Sequence, residues 1–218
     1  MKQPAATILR EYGPWPDVPR VHGVSYDGTS VWIAAGDTLK AVNPASGATV
    51  RSLDIPAHAG TAFDGRYLYQ ISGDRIQKVD PTTGRVITSV PTPDGGASGL
   101  AWAEGSLWIG QYRSRKIHQV NPHTGAILRT IESNRFVTGV TWVEGELWHG
   151  TFEAEKSELR RIDPESGEVL ERLDMPAGIA VSGLESNGGD AFFCGGGNSG
   201  KLRSVRRPAR ESEAKPKR

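Results

Sequence analysis

Side chains able to move a proton or hold a metal stand out in this chain where its own pattern leaves them unmatched. Glu185 lies in a short strand-like run, and the matching positions elsewhere are Ser25, Ala62, Ala101 and Thr141, all small. A carboxylate in a confined place loses hydration, so its pKa rises and it becomes suited to acid–base work. It could equally be a structural acid paired with an arginine. His149 follows Trp148, where the matching positions hold Ile33, Gln70, Ile109 and Phe193. An imidazole there is an acid, a base, a metal ligand or a hydrogen-bonded packing residue. His22 and His58 lie just ahead of two such runs. Glu185 and His149 form the candidate catalytic pair, and His22, His58, Gln70, Gln111 and Arg135 the candidate ligand-binding set. A divalent metal among the histidines and Glu185 is chemically reasonable. No H-x-H or C-x-x-C spacing supports it, so the cofactor is left unassigned. Cys194 lacks an activating base and reads as a packing residue, and His118 and His123 read as surface residues.

Residues this far apart can meet only if the chain repeats. The segment 137–176 contains four short runs, Gly139–Val143, Glu146–Thr151, Glu158–Ile162 and Glu168–Leu173. Each is too short for a helix and rich in β-branched or aromatic residues, which predicts four strands. The unit starts again at Gly23, Gly60, Gly99, Gly139 and Gly183, a spacing of about 40 residues. Its second strand carries an aromatic at Trp32, Tyr69, Trp108, Trp148 and Phe192. A turn of the form Asn/Asp-Pro-x-Ser/Thr-Gly recurs at Asn43, Asp80, Asn121 and Asp163. In it Asp or Asn caps the turn, Pro presets φ, and Gly takes the left-handed position.

The fifth unit has three strands and lacks a fourth, whereas residues 6–12 (ATILREY) match a fourth strand with no unit before it. A ring of blades must close, because an open one leaves unpaired edges. The pattern therefore predicts an all-β fold: a five-bladed β-propeller of four-stranded antiparallel blades, closed by strand 6–12. Residues 1–207 form a single domain, and 208–218 are expected to be a disordered basic tail. A β-sandwich would also suit evenly spaced strands, but it explains neither the orphan strand nor the strict repeat.

With 26 basic against 25 acidic residues there is no net field, which argues against a nucleic-acid or membrane partner. A single cysteine excludes an intrachain disulfide, and no apolar run reaches membrane-spanning length. The start of the chain has no apolar leader segment, so a cytoplasmic location is expected; the chain is also expected to be a monomer. In a propeller the irregular connections gather around one mouth of the central channel, where function is grafted. The polar loops 111–116 and 152–156, with Asn134 and Arg135, could frame a polar or anionic ligand or simply pair with one another. Gly195–Lys201 fits both G-x-G-x-x-G and G-x-x-x-x-G-K. Leu202 stands where a phosphate loop needs Ser or Thr, and a strand follows instead of a helix, so a nucleotide fold is rejected. The loop could still offer backbone amides to an anion.

The segments Tyr67-Leu68-Tyr69-Gln70, Val143-Glu144-Gly145-Glu146-Leu147-Trp148 and Arg161-Ile162-Asp163-Pro164 carry a resemblance. The array from Gly23 to Pro208 resembles the five-bladed glutamine cyclotransferases of the plant and bacterial type. It is also similar to the seven-bladed virginiamycin B (streptogramin) lyases. The resemblance implies a propeller scaffold. The cyclotransferases carry a glutamate soon after the first-blade aromatic, where this chain has Ile33, and Asn-Glu opening the fourth blade, where it has Thr138-Gly139. Two functions remain open at this point. One is a small-molecule or peptide site at the channel mouth, with lyase- or cyclotransferase-like acid–base chemistry as its enzymatic form. The other is a non-catalytic protein- or peptide-interaction propeller, with Trp15 as its best anchor.

Overall fold

A computed structural model describes residues 4–209; of the expected tail, residues 210–218 lie outside them. The described chain is built of strands, bridges and turns, with no helix. β1 (Ile8–Tyr12) is followed by blade one, β2 (Gly23–Tyr26), β3 (Val31–Ala34), β4 (Leu39–Val42) and β5 (Thr49–Leu53). Blade two holds β6 (Thr61–Phe63), β7 (Leu68–Ser72), β8 (Arg75–Val79) and β9 (Val86–Pro91). Blade three holds β10 (Gly99–Ala103), β11 (Ser106–Gln111), β12 (Lys116–Val120) and β13 (Ile127–Glu132). Blade four holds β14 (Val137–Val143), β15 (Glu146–Glu153), β16 (Lys156–Ile162) and β17 (Val169–Asp174). Blade five holds β18 (Gly183–Ser186), β19 (Ala191–Gly195) and β20 (Leu202–Arg206), and β1 completes it in the order β1-β20-β19-β18. The five antiparallel four-stranded sheets make a five-bladed propeller. The two ends of the array are locked by the ladder Ile8–Val205 through Tyr12–Leu202.

The recurring turn does what its chemistry requires. Oδ1 of Asn43 accepts the amides of Ala45 and Ser46, and Asp80, Asn121 and Asp163 do the same for their own turns. Gly47, Gly84, Gly125 and Gly167 close these turns at positive φ. An arginine of an outer strand then clasps the following blade's turn: Arg10 donates to the carbonyls of Pro44 and Ala45, Arg51 to Pro81 and Thr82, and Arg129 to Pro164.

The apolar core is divided into five clusters, one at each blade-to-blade interface. Trp32 of blade one, for instance, packs with Leu68 and Val79 of blade two. Register corrects one alignment. Trp32, Tyr69, Trp108 and Trp148 face Ser25, Ala62, Ala101 and Thr141 across their ladders, but Glu185 faces Phe193, not Phe192. The hairpin from Gly183 to its partner Gly195 spans one residue more than those from Gly23 to Ala34 and from Gly99 to Gly110, which moves β19 by one. His149, opposite Val140, therefore corresponds to Cys194, opposite Leu184.

Candidate functional site

The inner strands meet at a ring of glycines. A Cβ on Gly23 would lie 2.7 Å from Cα of Gly60, one on Gly60 2.6 Å from the carbonyl carbon of Gly99, and one on Gly99 2.9 Å from Cα of Gly139. On Gly139 it would reach 2.4 Å from the amide nitrogen of Leu184, and on Gly183 2.8 Å from Cα of Gly23, which closes the circle. Only hydrogen fits at these five positions, so the inner strands approach closely and narrow the channel. The glycines that open each unit are required by contact between backbones.

On one side of this ring lies a funnel of about 530 Å³. Its floor is the residue before each glycine: His22, Ala59, Ser98, Thr138 and Ser182, one from every blade. Two of these hydroxyls clasp the next blade, Ser98 donating to the carbonyl of Val137 at 2.8 Å and Ser182 to that of Val21 at 2.6 Å. The walls are Tyr112 just beyond β11, Phe152 near the end of β15, and the connection Gly196–Ser199 of blade five. Arg20, His22, His58 and Arg203 also line it, and no aspartate or glutamate among the described residues does. The rings of His22 and His58 meet edge to face with centroids 6.1 Å apart. Partial burial holds His22 below the ordinary imidazole pKa, and the Arg20 charge pushes it further down, which favours the neutral ring.

Arg203 reaches the funnel through a gap in blade five. Register matches Gly196 and Gly197 with Gln111 and Tyr112 of blade three and with Thr151 and Phe152 of blade four. Two side chains are missing there, and the guanidinium of a nearly buried arginine fills the space: a Cβ on Gly196 would stand 2.6 Å from Nη1 of Arg203. Its Nε is held by Glu11 of β1 at 2.7 Å.

The sequence-derived residues divide between this funnel and other places. His22 and His58 line it. Glu185 lies two residues beyond Gly183, on the far side of the glycine ring. There it accepts hydrogen bonds from the Thr141 hydroxyl and, at 2.8 Å, from the Ser186 amide. Enclosure by protein raises its pKa to about 7 against these two hydrogen bonds. Among the described residues no arginine pairs with it. His149 lies inside blade four between Val140 and Arg160, where burial, reinforced by the Arg160 charge, pushes its pKa down to about 3. It borders a separate cavity of about 170 Å³ beside Asn134 and Arg160. Glu185 and His149 therefore do not converge on one cavity or on the funnel.

Gln70 and Gln111 support the funnel from behind. Gln70 donates to the carbonyl of Ala59, and Gln111 to those of Asp94 and Gly96. Arg135 pairs with Glu158 at 3.2 Å and borders the neighbouring outer cleft, while Arg115 pairs with Glu153 at 2.7 Å; the charged loops partly neutralise each other. His118 is not at the surface. It is buried against Thr130 and Gln111, at 2.8 and 3.1 Å. Trp15 packs half-buried beside the core and donates to the Gly47 carbonyl at 3.1 Å. Among the described residues no three His, Cys, Asp or Glu side chains gather as a metal site. Cys194 is buried, and its thiol is pushed up to about 12.

A closed five-bladed propeller with a basic funnel at one mouth is the class this fold and site define. The chain belongs to the PQQ_2 family, described as outer membrane protein assembly factor BamB, whose profile matches residues 35–209. No curated protein matches it in sequence. Among solved structures, glutaminyl cyclase of Myxococcus xanthus superposes with a TM-score of 0.75 at 18% identity, over 94% of this chain and 98% of that one. A chain of the mitotic checkpoint complex gives 0.58 at 12% identity, over 96% and 94%. The WD40 propeller of Doa1 gives 0.55 at 19%, over 86% of this chain and 64% of that one. At these identities the likeness is one of fold.

Proposed function

We propose that this propeller binds a small, negatively charged molecule in the funnel. The observation that carries this reading is the lining: two arginines beside two histidines, with no carboxylate among the described residues, in a chain whose basic and acidic residues are otherwise balanced. Walls of low dielectric concentrate the field of the two guanidinium groups at the mouth and draw in anions. The volume is that of a small-molecule site. Cyclotransferase- or lyase-like catalysis by Glu185 and His149 is not part of the reading, because neither residue lines the funnel. A second reading, a propeller that holds a protein partner, draws on the family description of an assembly factor. The use of Trp15 in packing weighs against it.

Thermal-shift and calorimetric screening at low salt with matched acids, amides and amines tests the proposal. Acids should raise the melting temperature, and Arg203→Gln should reduce that rise. Stabilisation by amines instead of acids, or by acids equally in Arg203→Gln, would refute it.

A further inference from the structure

The funnel holds one large aromatic that the fold leaves uncovered. Of the exposed large apolar residues, Leu9, Val50, Val86, Ile87, Ile127, Leu128, Val169 and Leu170 all lie on the outermost strand of a blade. Tyr112 is the exception among the described residues: it is 36% exposed, and it lines the funnel. One of its faces is already occupied, since Phe136 stacks on it with centroids 4.7 Å apart and planes 16° from parallel. Phe136 is itself covered by the Arg115 guanidinium at 4.3 Å, and Arg115 is held by Glu153 at 2.7 Å and the Asn134 carbonyl at 2.9 Å. The tyrosine is thus fixed as a platform before anything binds, and the ordering cost that a mobile ring would add to binding is already met. Phe152 occupies the equivalent position of the adjoining blade.

Two blades away from Tyr112, and therefore across the funnel, stands Arg203. Its Nε is engaged by Glu11, while its terminal nitrogens make no hydrogen bond with a described residue. A planar guanidinium with two free terminal nitrogens suits a carboxylate or phosphate held by paired hydrogen bonds.

We infer that the ligand is flat as well as acidic: an aromatic acid whose ring lies on Tyr112 beside Phe152 and whose anionic group meets Arg203. This rests on the funnel being the binding site and specifies the class of molecule it takes. His22 and His58, on the floor and rim, report occupancy without belonging to either recognition element.

The test uses naphthalene-2-carboxylate, naphthalene-2-carboxamide and cyclohexanecarboxylate, with binding measured calorimetrically and the His22 and His58 imidazole signals followed by NMR. Naphthalene-2-carboxylate should shift both imidazoles and bind about tenfold more tightly than either comparison compound. Tyr112→Leu should weaken naphthalene-2-carboxylate about tenfold and leave cyclohexanecarboxylate unchanged. Arg203→Gln should bring the acid and the amide to equal affinity; Glu11 keeps Lys201 at 3.4 Å in that variant. If cyclohexanecarboxylate matches the naphthalene acid, or Tyr112→Leu affects both alike, the flat-ligand inference is overturned while the anion site stands. If the amide matches the acid, both fall; if no probe moves the imidazoles, the funnel is not the site.

Discussion

Replacing Glu185 by Gln should stabilise the protein at neutral and alkaline pH and leave it almost unchanged in acid. The reasoning starts from enclosure. The carboxyl group has an ordinary pKa of 4.5, and in the folded channel it rises to about 7. A carboxylate that holds its proton more tightly when folded favours folding at low pH. That advantage is whole below 4.5, erodes as the unfolded chain ionises, and is gone once pH passes the folded value. At about 1.4 kcal/mol per pH unit, the interval corresponds to about 3 kcal/mol of stability lost between roughly pH 4.5 and 7. Glutamine keeps an oxygen for the Thr141 hydroxyl and the Ser186 amide but cannot ionise. Urea unfolding of both proteins from pH 4.5 to 8.5 should show a difference near zero at the acid end that grows to at most about 3 kcal/mol and levels off above pH 7. A constant difference, or one that grows towards acid, would refute the placement of Glu185 in a poorly hydrated channel.

Two further outcomes follow from the interior. His149→Ile, which installs the residue found at Ile33 and Ile109, should remove an acid-side weakness. A ring with a folded pKa of about 3 loses stability as pH falls from about 6.5, so the variant should outlast the parent in denaturation at pH 4 and gain less at pH 8. Gly139→Ala puts a methyl 2.4 Å from the Leu184 amide nitrogen and should cost about 3 kcal/mol or more, seen as a melting temperature lowered by several degrees.

The propeller was legible because its constraints are local and repeated. Turns need Asn or Asp with Pro and Gly, inner strands need glycine where backbones touch, and the missing fourth strand had one match. Blade five was misaligned by one residue because Phe192 and Phe193 are both aromatic, and only the ladder to Glu185 tells them apart. The site was legible in part. The five residues before the glycines could have been read as its floor from spacing alone. Departures from the repeat were a less faithful guide. His149 departs from it inside a blade, whereas Tyr112 and Arg203 matter through what surrounds them. Arg203 becomes available because side chains are absent at Gly196 and Gly197, and a neighbour's absence across a sheet leaves no mark on the arginine itself.

The grip of Glu11 on Arg203 joins residues 192 positions apart. As the chain is synthesised, β1 precedes the blades and has no strand to pair with until the last strand of the array follows it. Until then the arginine lacks its anchor and the funnel lacks a wall. Recognition of a ligand would thus report that the circle has shut, and molecules still waiting for their final strand would be blind to it.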